Sequence, residues 1–192
     1  IEGLDDLDVV KGDSVQGAYL LTKHLISLGH RRIGIIVGNR NISTAEDRVE
    51  GYKRALAESG IPVDESLIKF SQYSREGGYN STRELLSLED SPTAILGGNN
   101  FIAIGSLVAI REMGLKVPED IALVSFDDIE SLSQVYPFLT VVTQSAYSMG
   151  VIAAELLIRR IEGRDKIEER RKVILQPELI IRESAGEKLA EG

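Results

Sequence analysis

The chain has 192 residues, with 22 Lys and Arg against 30 Asp and Glu and a formal net charge of −8. That excess of carboxylates argues against a chain that grips nucleic acid by itself, because phosphate contacts need clustered cations. The lack of cysteine rules out disulfides and thiolate chemistry, and no apolar run approaches the roughly 20 residues of a membrane span.

Helical and strand periods alternate along the chain. Leu7 to Val10 reads as a short strand. Asp13 or Ser14 then caps a helix whose apolar positions Val15, Ala18, Leu21, Leu25 and Leu28 recur three and four apart, with Gly29 as its stop. Ile33 to Val37 is continuously apolar, as for a strand buried on both faces. A helix over Thr44–Ser59 ends at Gly60, Leu67–Phe70 reads as a strand and Glu76–Leu88 as a helix. Ala94–Leu96 is the next strand, and Phe101–Met113 a helix closed by Gly114. Strands at Ile121–Phe126 and Thr140–Val142 follow.

Repeated β-α units with short connections predict an α/β fold, a doubly wound parallel sheet. After Val142 the pattern changes. Met149, Ala153, Leu156, Leu157 and Ile161 form one more amphipathic face, and Val173–Leu175 and Leu179–Ile181 read as strands. The tail from Ser184 is expected to fray. The acidic start IEGLDDLDVV lacks the basic and apolar succession of a signal peptide, so a cytoplasmic location is expected.

In a parallel sheet, ligands bind outside the carboxyl ends of the strands. Each central strand here is followed by polar residues: GNRNISTAEDR with Arg48, SQYSREGGY with Tyr73, GGNN with Asn99 and Asn100, and then Asp127-Asp128. A guanidinium, an aromatic ring, amides and carboxylates at one edge suit a polyol, whose hydroxyls both donate and accept. Each also has a structural reading. Asn99 or Asn100 can cap the following helix, Asp127 or Asp128 can cap the turn at 129–132, and Thr44 with Asp47 approximates a capping box. No phosphate loop, dinucleotide glycine fingerprint or nucleophile elbow is present. His24 and His30 read as surface or interface residues away from the edge, and the runs His30-Arg31-Arg32 and Arg170-Arg171-Lys172 as solvated surface.

HLISLGHRRIGIIVG, STAEDRVEGYKRALAESGIPVDESLI, GGNNFIAIGSLVAIREMGLKVPEDIALVSFDD and LTVVTQSAYSMGVIAAELLIRRIEG…VILQPELIIRES, in that order, resemble the LacI/GalR family of bacterial repressors over about Val10 to Ser184. The resemblance implies a DNA-binding headpiece followed by a two-lobed, periplasmic-binding-protein-like sensor that holds a sugar or nucleobase between its lobes and is normally a dimer. It implies that Arg48 grips the effector, that Asn99 and Asp127 bind it, that Tyr73 stacks on it, and that Thr44 and Phe126 line the pocket. Asp128 is then left to cap the next turn. Three residues depart from the family pattern: Gly98 for a usual Ala, Asn100 for Asp, and Ser125 for Gly.

The resemblance further implies that the headpiece and most of the first lobe are not in this chain. Residues 1–14 and 144–176 would be remnants of that lobe, residues 15–143 the second lobe, and residues 177–192 the return to it. With so little of the first lobe to pack on, the helix carrying Met149 and Leu156 is expected to pack abnormally, to be poorly ordered or to pair with another copy. The expectation is a sensor and not an enzyme. It would need no cofactor or metal, bind a small sugar-like effector, meet operator DNA only through the headpiece, avoid membranes and form a homodimer. The alternative is a transport sugar-binding protein of the same architecture.

Overall fold

The computed structural model describes residues 7–129, 133–164 and 170–186. The chain forms two compact units. The larger takes residues 14–143 and the stretch from 178 onward, and the smaller takes the residues before 14 and 144–177. The chain therefore passes from one to the other three times.

In the larger unit, helix α1 (Ser14–Ser27) leads into β2 (Ile33–Val37), α2 (Ser43–Glu58), β3 (Ile68–Phe70), α3 (Arg75–Leu86), β4 (Ala94–Gly97), α4 (Asn100–Glu112), β5 (Ala122–Phe126) and β6 (Thr140–Thr143). After an excursion into the smaller unit, β8 (Glu178–Ile180) returns. The sheet order is β3-β2-β4-β5-β6-β8, parallel throughout except for β8, which pairs antiparallel with β6. The α/β, doubly wound expectation holds, with an antiparallel edge strand added.

Strand side chains alternate between faces, and the core divides accordingly. Ile35, Val37, Leu96, Val124 and Phe126 pack with Ala18, Leu21 and Leu25 of α1 and Val49, Tyr52 and Leu56 of α2. Ile36, Ile95, Leu123 and Val141 pack on the opposite side with Leu85 of α3 and Ile102 and Ile110 of α4. Two helices on each face leave β2, β4 and β5 fully buried, which is why their sequences read as unbroken apolar runs. Gly29, Gly60 and Gly114 all take positive φ, at 95°, 64° and 78°, and so end α1, α2 and α4 as their placement in the sequence predicts.

Other local expectations need correction. Helix α2 starts at Ser43 with Ile42 as its cap and no side-chain cap bond. Thr44 thus lies inside the first turn, and the Thr44–Asp47 capping box does not form. His24 is 7% exposed and belongs to the buried side of α1, not to the surface. Arg32 is only partly exposed and pairs with Asp64 at 2.7 Å and Asp90 at 3.1 Å, so it is not a freely solvated cation. The chain from Ser184 to Gly186 is docked. Ser184 Oγ donates to Leu123 O at 2.6 Å and accepts from Thr140 N–H at 2.8 Å, and Ala185 is fully buried.

The smaller unit is a parallel pair, β1 (Val9–Gly12) with β7 (Lys172–Leu175), and helix α5 (Ala146–Ile161). Asp8 joins all three pieces: it accepts from the Arg160 guanidinium of α5 and from the backbone N–H of Arg171, just before β7. These bonds hold its carboxyl well below the usual carboxylate range. Of the apolar face expected for α5, Leu156 is buried and Met149 half-buried, while Ala153, Leu157 and Ile161 are exposed. Two strands supply too little surface to cover a 16-residue helix. Among the described residues, no helix is long and apolar enough to cross a membrane.

Candidate functional site

The sheet order fixes where a ligand can enter. The chain runs outward from β2 to β3, then jumps back over β2 to β4 and proceeds to β5 and β6. The direction of winding reverses between β2 and β4, and such a reversal opens a crevice at the carboxyl ends of the two strands. Gly38 follows β2 there, and Gly98 and Asn99 follow β4. The strands approach closely: Gly98 N–H donates to Ile36 O at 2.6 Å, and a Cβ on Gly98 would stand 2.7 Å from that oxygen. This contact explains why glycine stands where an alanine would have to displace β2.

Arg48, one turn into α2, occupies this crevice. It is 5% exposed. Its Nη1 donates to Tyr73 Oη at 2.8 Å and to Gly98 O at 2.6 Å. Its guanidinium lies 4.1 Å from the centroid of the Phe126 ring, close enough for a cation–π contact. Its Nε is buried with no hydrogen-bond partner among the described residues. No carboxylate pairs with Arg48 among the described residues, which leaves a nearly dry cation without a counter-charge among them. Such groups are rare because burying them is costly.

Tyr73, in the loop after β3, lies across Gly38, where a Cβ would meet its ring at 2.2 Å. Its hydroxyl also sits 3.5 Å from Thr44 Oγ1. Arg48, Tyr73, Thr44 and Phe126 are therefore one cluster. Phe126 itself is fully buried, with the guanidinium of Arg48 above its ring. Asn99 caps α4, accepting from Ile102 N–H at 2.9 Å through its side-chain oxygen, so its side-chain NH₂ takes no part in the cap. Its structural and binding readings are compatible.

Asp127 directly follows Phe126 and is the one described non-glycine residue with positive φ, at 58°. A left-handed backbone costs a non-glycine residue about 1 kcal/mol and persists only where neighbours enforce it. Asp127 N–H donates to Val142 O at 2.9 Å. Asp128 is tied down at both its side chain and its backbone. Its Oδ1 accepts from Ile129 N–H at 2.8 Å, and its carbonyl from Asn100 Nδ2 at 3.3 Å. Arg182 grips both of its carboxylate oxygens, at 3.0 and 2.6 Å. Asp128 is thus a structural acid, as its capping role implied, with a partner that sequence spacing did not reveal. The remainder of the expected turn, residues 130–132, lies outside the described residues.

Hydrogen bonding and charge from Arg182 lower the Asp128 pKa, with the Ile129 N–H adding to the effect and burial opposing it. Because the folded value is depressed, the clamp stabilises fully above the unfolded value near 3.9 and is lost as pH falls through the folded value. Melting temperatures should therefore drop as pH falls below about 4. Asp128→Asn should lower stability at pH 6 and flatten that acid slope. An unchanged slope in the variant would mean that Asp128 carries none of the acid sensitivity.

The site has donors, acceptors and an aromatic ring. Among the described residues, no group of three or more His, Asp or Glu could hold a metal ion. A separate groove of about 460 Å³, lined by Leu107, Arg111, Leu115, Val117 and Phe138, lies toward the far end of α4 and shares no residue with the Arg48 cluster.

Residues 22–185 match the periplasmic binding protein-like domain family. An HTH-type transcriptional repressor PurR of Haemophilus influenzae (strain PittEE) is 38% identical over 178 residues, which is 92% of this chain and 53% of that protein. Among solved structures, the transcriptional regulator CelR–cellobiose complex superposes with a TM-score of 0.87 at 32% identity, covering 93% of this chain and 54% of that one. A LacI family transcriptional regulator from Enterococcus faecium with bound ribose gives a TM-score of 0.83 at 31% identity, covering 96% and 66%. The chain spans about half the length of the curated relatives it matches.

Proposed function

The chain belongs to the periplasmic-binding-protein-like domain family, in the form that LacI-family transcription regulators carry as their effector-binding portion, and on that premise we propose that it senses a small neutral sugar or related polyol at the carboxyl edge of its sheet. The observation that carries this reading is Arg48, 5% exposed, with an orphan donor and no carboxylate partner among the described residues. A ligand oxygen supplies what the guanidinium lacks. Tyr73 offers its ring to the C–H face of a sugar, Thr44 lines the same recess, and Asn99 and Asp127 serve hydroxyls as donor and acceptor. Phe126 supports Arg48 from beneath.

In this reading the chain performs no catalysis and uses no cofactor. It works in the cytoplasm as part of a homodimer, and effector binding controls operator DNA through a helix-turn-helix headpiece outside this chain. The cellobiose and ribose bound by two structural relatives fit the chemistry of the edge.

A ligand held only by the folded state raises the melting temperature. A panel of neutral mono- and disaccharides, purines and sugar phosphates should give its largest upward shift with a neutral sugar. Shifts from a purine or a sugar phosphate, with none from any neutral sugar, would overturn the assignment.

A further inference from the structure

We propose that Arg182 is a positioning residue for effector binding: by gripping both oxygens of Asp128 it fixes the left-handed backbone that aims Asp127. The proposal rests on the reading above, in which Asp127 accepts from the effector. Asp127 has φ 58°, a posture that costs a non-glycine residue about 1 kcal/mol and is held by its surroundings. One restraint is its own N–H bond to Val142 O on β6. Another is its neighbour, and Arg182 is placed to hold that neighbour still.

Arg182 is itself immobilised at both ends. Its backbone N–H donates to Thr140 Oγ1 at 2.8 Å, and its carbonyl accepts from the same hydroxyl at 2.8 Å. Its Nη1 also donates to Leu139 O at 2.9 Å. The side chains of Arg182 and Asp128 are only 14% and 17% exposed, so water competes weakly for the fork. A planar guanidinium fixes both the distance and the rotation of a carboxylate, which a point charge cannot do. The acid proposed to touch the ligand is thereby aimed by a residue 54 positions further along the chain than Asp128.

The test separates aiming from general stability. Arg182→Lys keeps the charge and loses the fork, and Asp128→Asn keeps the capping oxygen and loses the ion pair. By amide hydrogen exchange without ligand, both variants should lose at least about ten-fold of the protection at Asp127 and Ile129, while Leu96 and Val124 keep theirs. Unchanged protection at Asp127, or an equal loss throughout the sheet, would overturn the proposal.

A binding cycle with cellobiose and D-ribose as probes adds the functional half. Arg182→Lys should weaken binding several-fold alone and have no further effect in an Asp127→Ala background. Equal losses in both backgrounds would show that Arg182 does not act through Asp127 and would overturn the proposal. Failure of both sugars to bind the unsubstituted protein, or an Asp127→Ala variant that binds normally, would instead count against the proposed function and leave the exchange result to decide the role of Arg182.

Discussion

Asp127→Ala should weaken effector binding by about 2–4 kcal/mol, roughly 30- to 900-fold. An ionised acceptor bonded to hydroxyls in a partly dry recess contributes more than a neutral one, and alanine leaves those hydroxyls with nothing to donate to. Asp127 already occupies an uncommon backbone conformation, so alanine there also keeps the strain without the carboxylate. Asp128→Ala, one residue on, should cost affinity only several-fold and act mainly on stability, because its oxygens are committed to Arg182 and Ile129. Titration calorimetry on the two variants makes the comparison. Equal losses would mean that the two acids have been assigned the wrong roles.

The largest effect on folding is expected at the crossing of α3 and α4. A Cβ on Gly105 would stand 2.0 Å from Arg75 O, and one on Gly78 would stand 2.2 Å from Ile102 O. The two helices therefore touch backbone to backbone, each through a glycine of its own. Beside this contact, Thr82 Oγ1 donates to Ser106 Oγ at 2.8 Å, fully buried. Backbone cannot yield as a side chain can, so Gly105→Ala must push the helices apart, at a cost of about 2–4 kcal/mol in stability. Gly150 in α5 is the matched control, because a Cβ there meets nothing within 4 Å. Replacing it by alanine should stabilise its helix by up to about 1 kcal/mol, or leave it unchanged. Urea unfolding distinguishes the outcomes, and a neutral Gly105→Ala would show that the crossing is looser than described.

Legibility in the sequence followed the range of the interactions. Ile33–Val37 and Ala122–Phe126 could be read because a strand buried on both faces must be apolar at every position. The helices of the larger unit could be read from spacing and from glycine stops, both of which are local signals. The edge residues Arg48, Tyr73, Asn99 and Asp127 could be listed because each follows a recognisable strand, and resemblance to a family gave them roles. What the sequence hid was contact between distant segments. Nothing local announces that Arg182 grips Asp128, that Phe126 lies beneath a guanidinium, or that Ser184 bonds between β5 and β6. Helix α5 misled for a related reason. Its apolar spacing shows a face that can be buried, and Leu156 alone is buried, with Met149 only half-buried. Thr44 and Asp47 misled through a start signal that the chain does not use, since α2 begins one residue earlier at Ser43.

The central claim is that a neutral sugar binds at the crevice between β2 and β4, on Arg48. Side-chain and amide NMR of the protein titrated with the sugar that raises its melting temperature most gives the most direct test. The account predicts that the Arg48 Nε–H resonance moves together with the amides of Asn99 and Asp127, while those of Leu107, Leu115 and Val117 stay in place. An Arg48 resonance that stays fixed while the Leu107–Val117 groove shifts would place the ligand elsewhere and contradict the account.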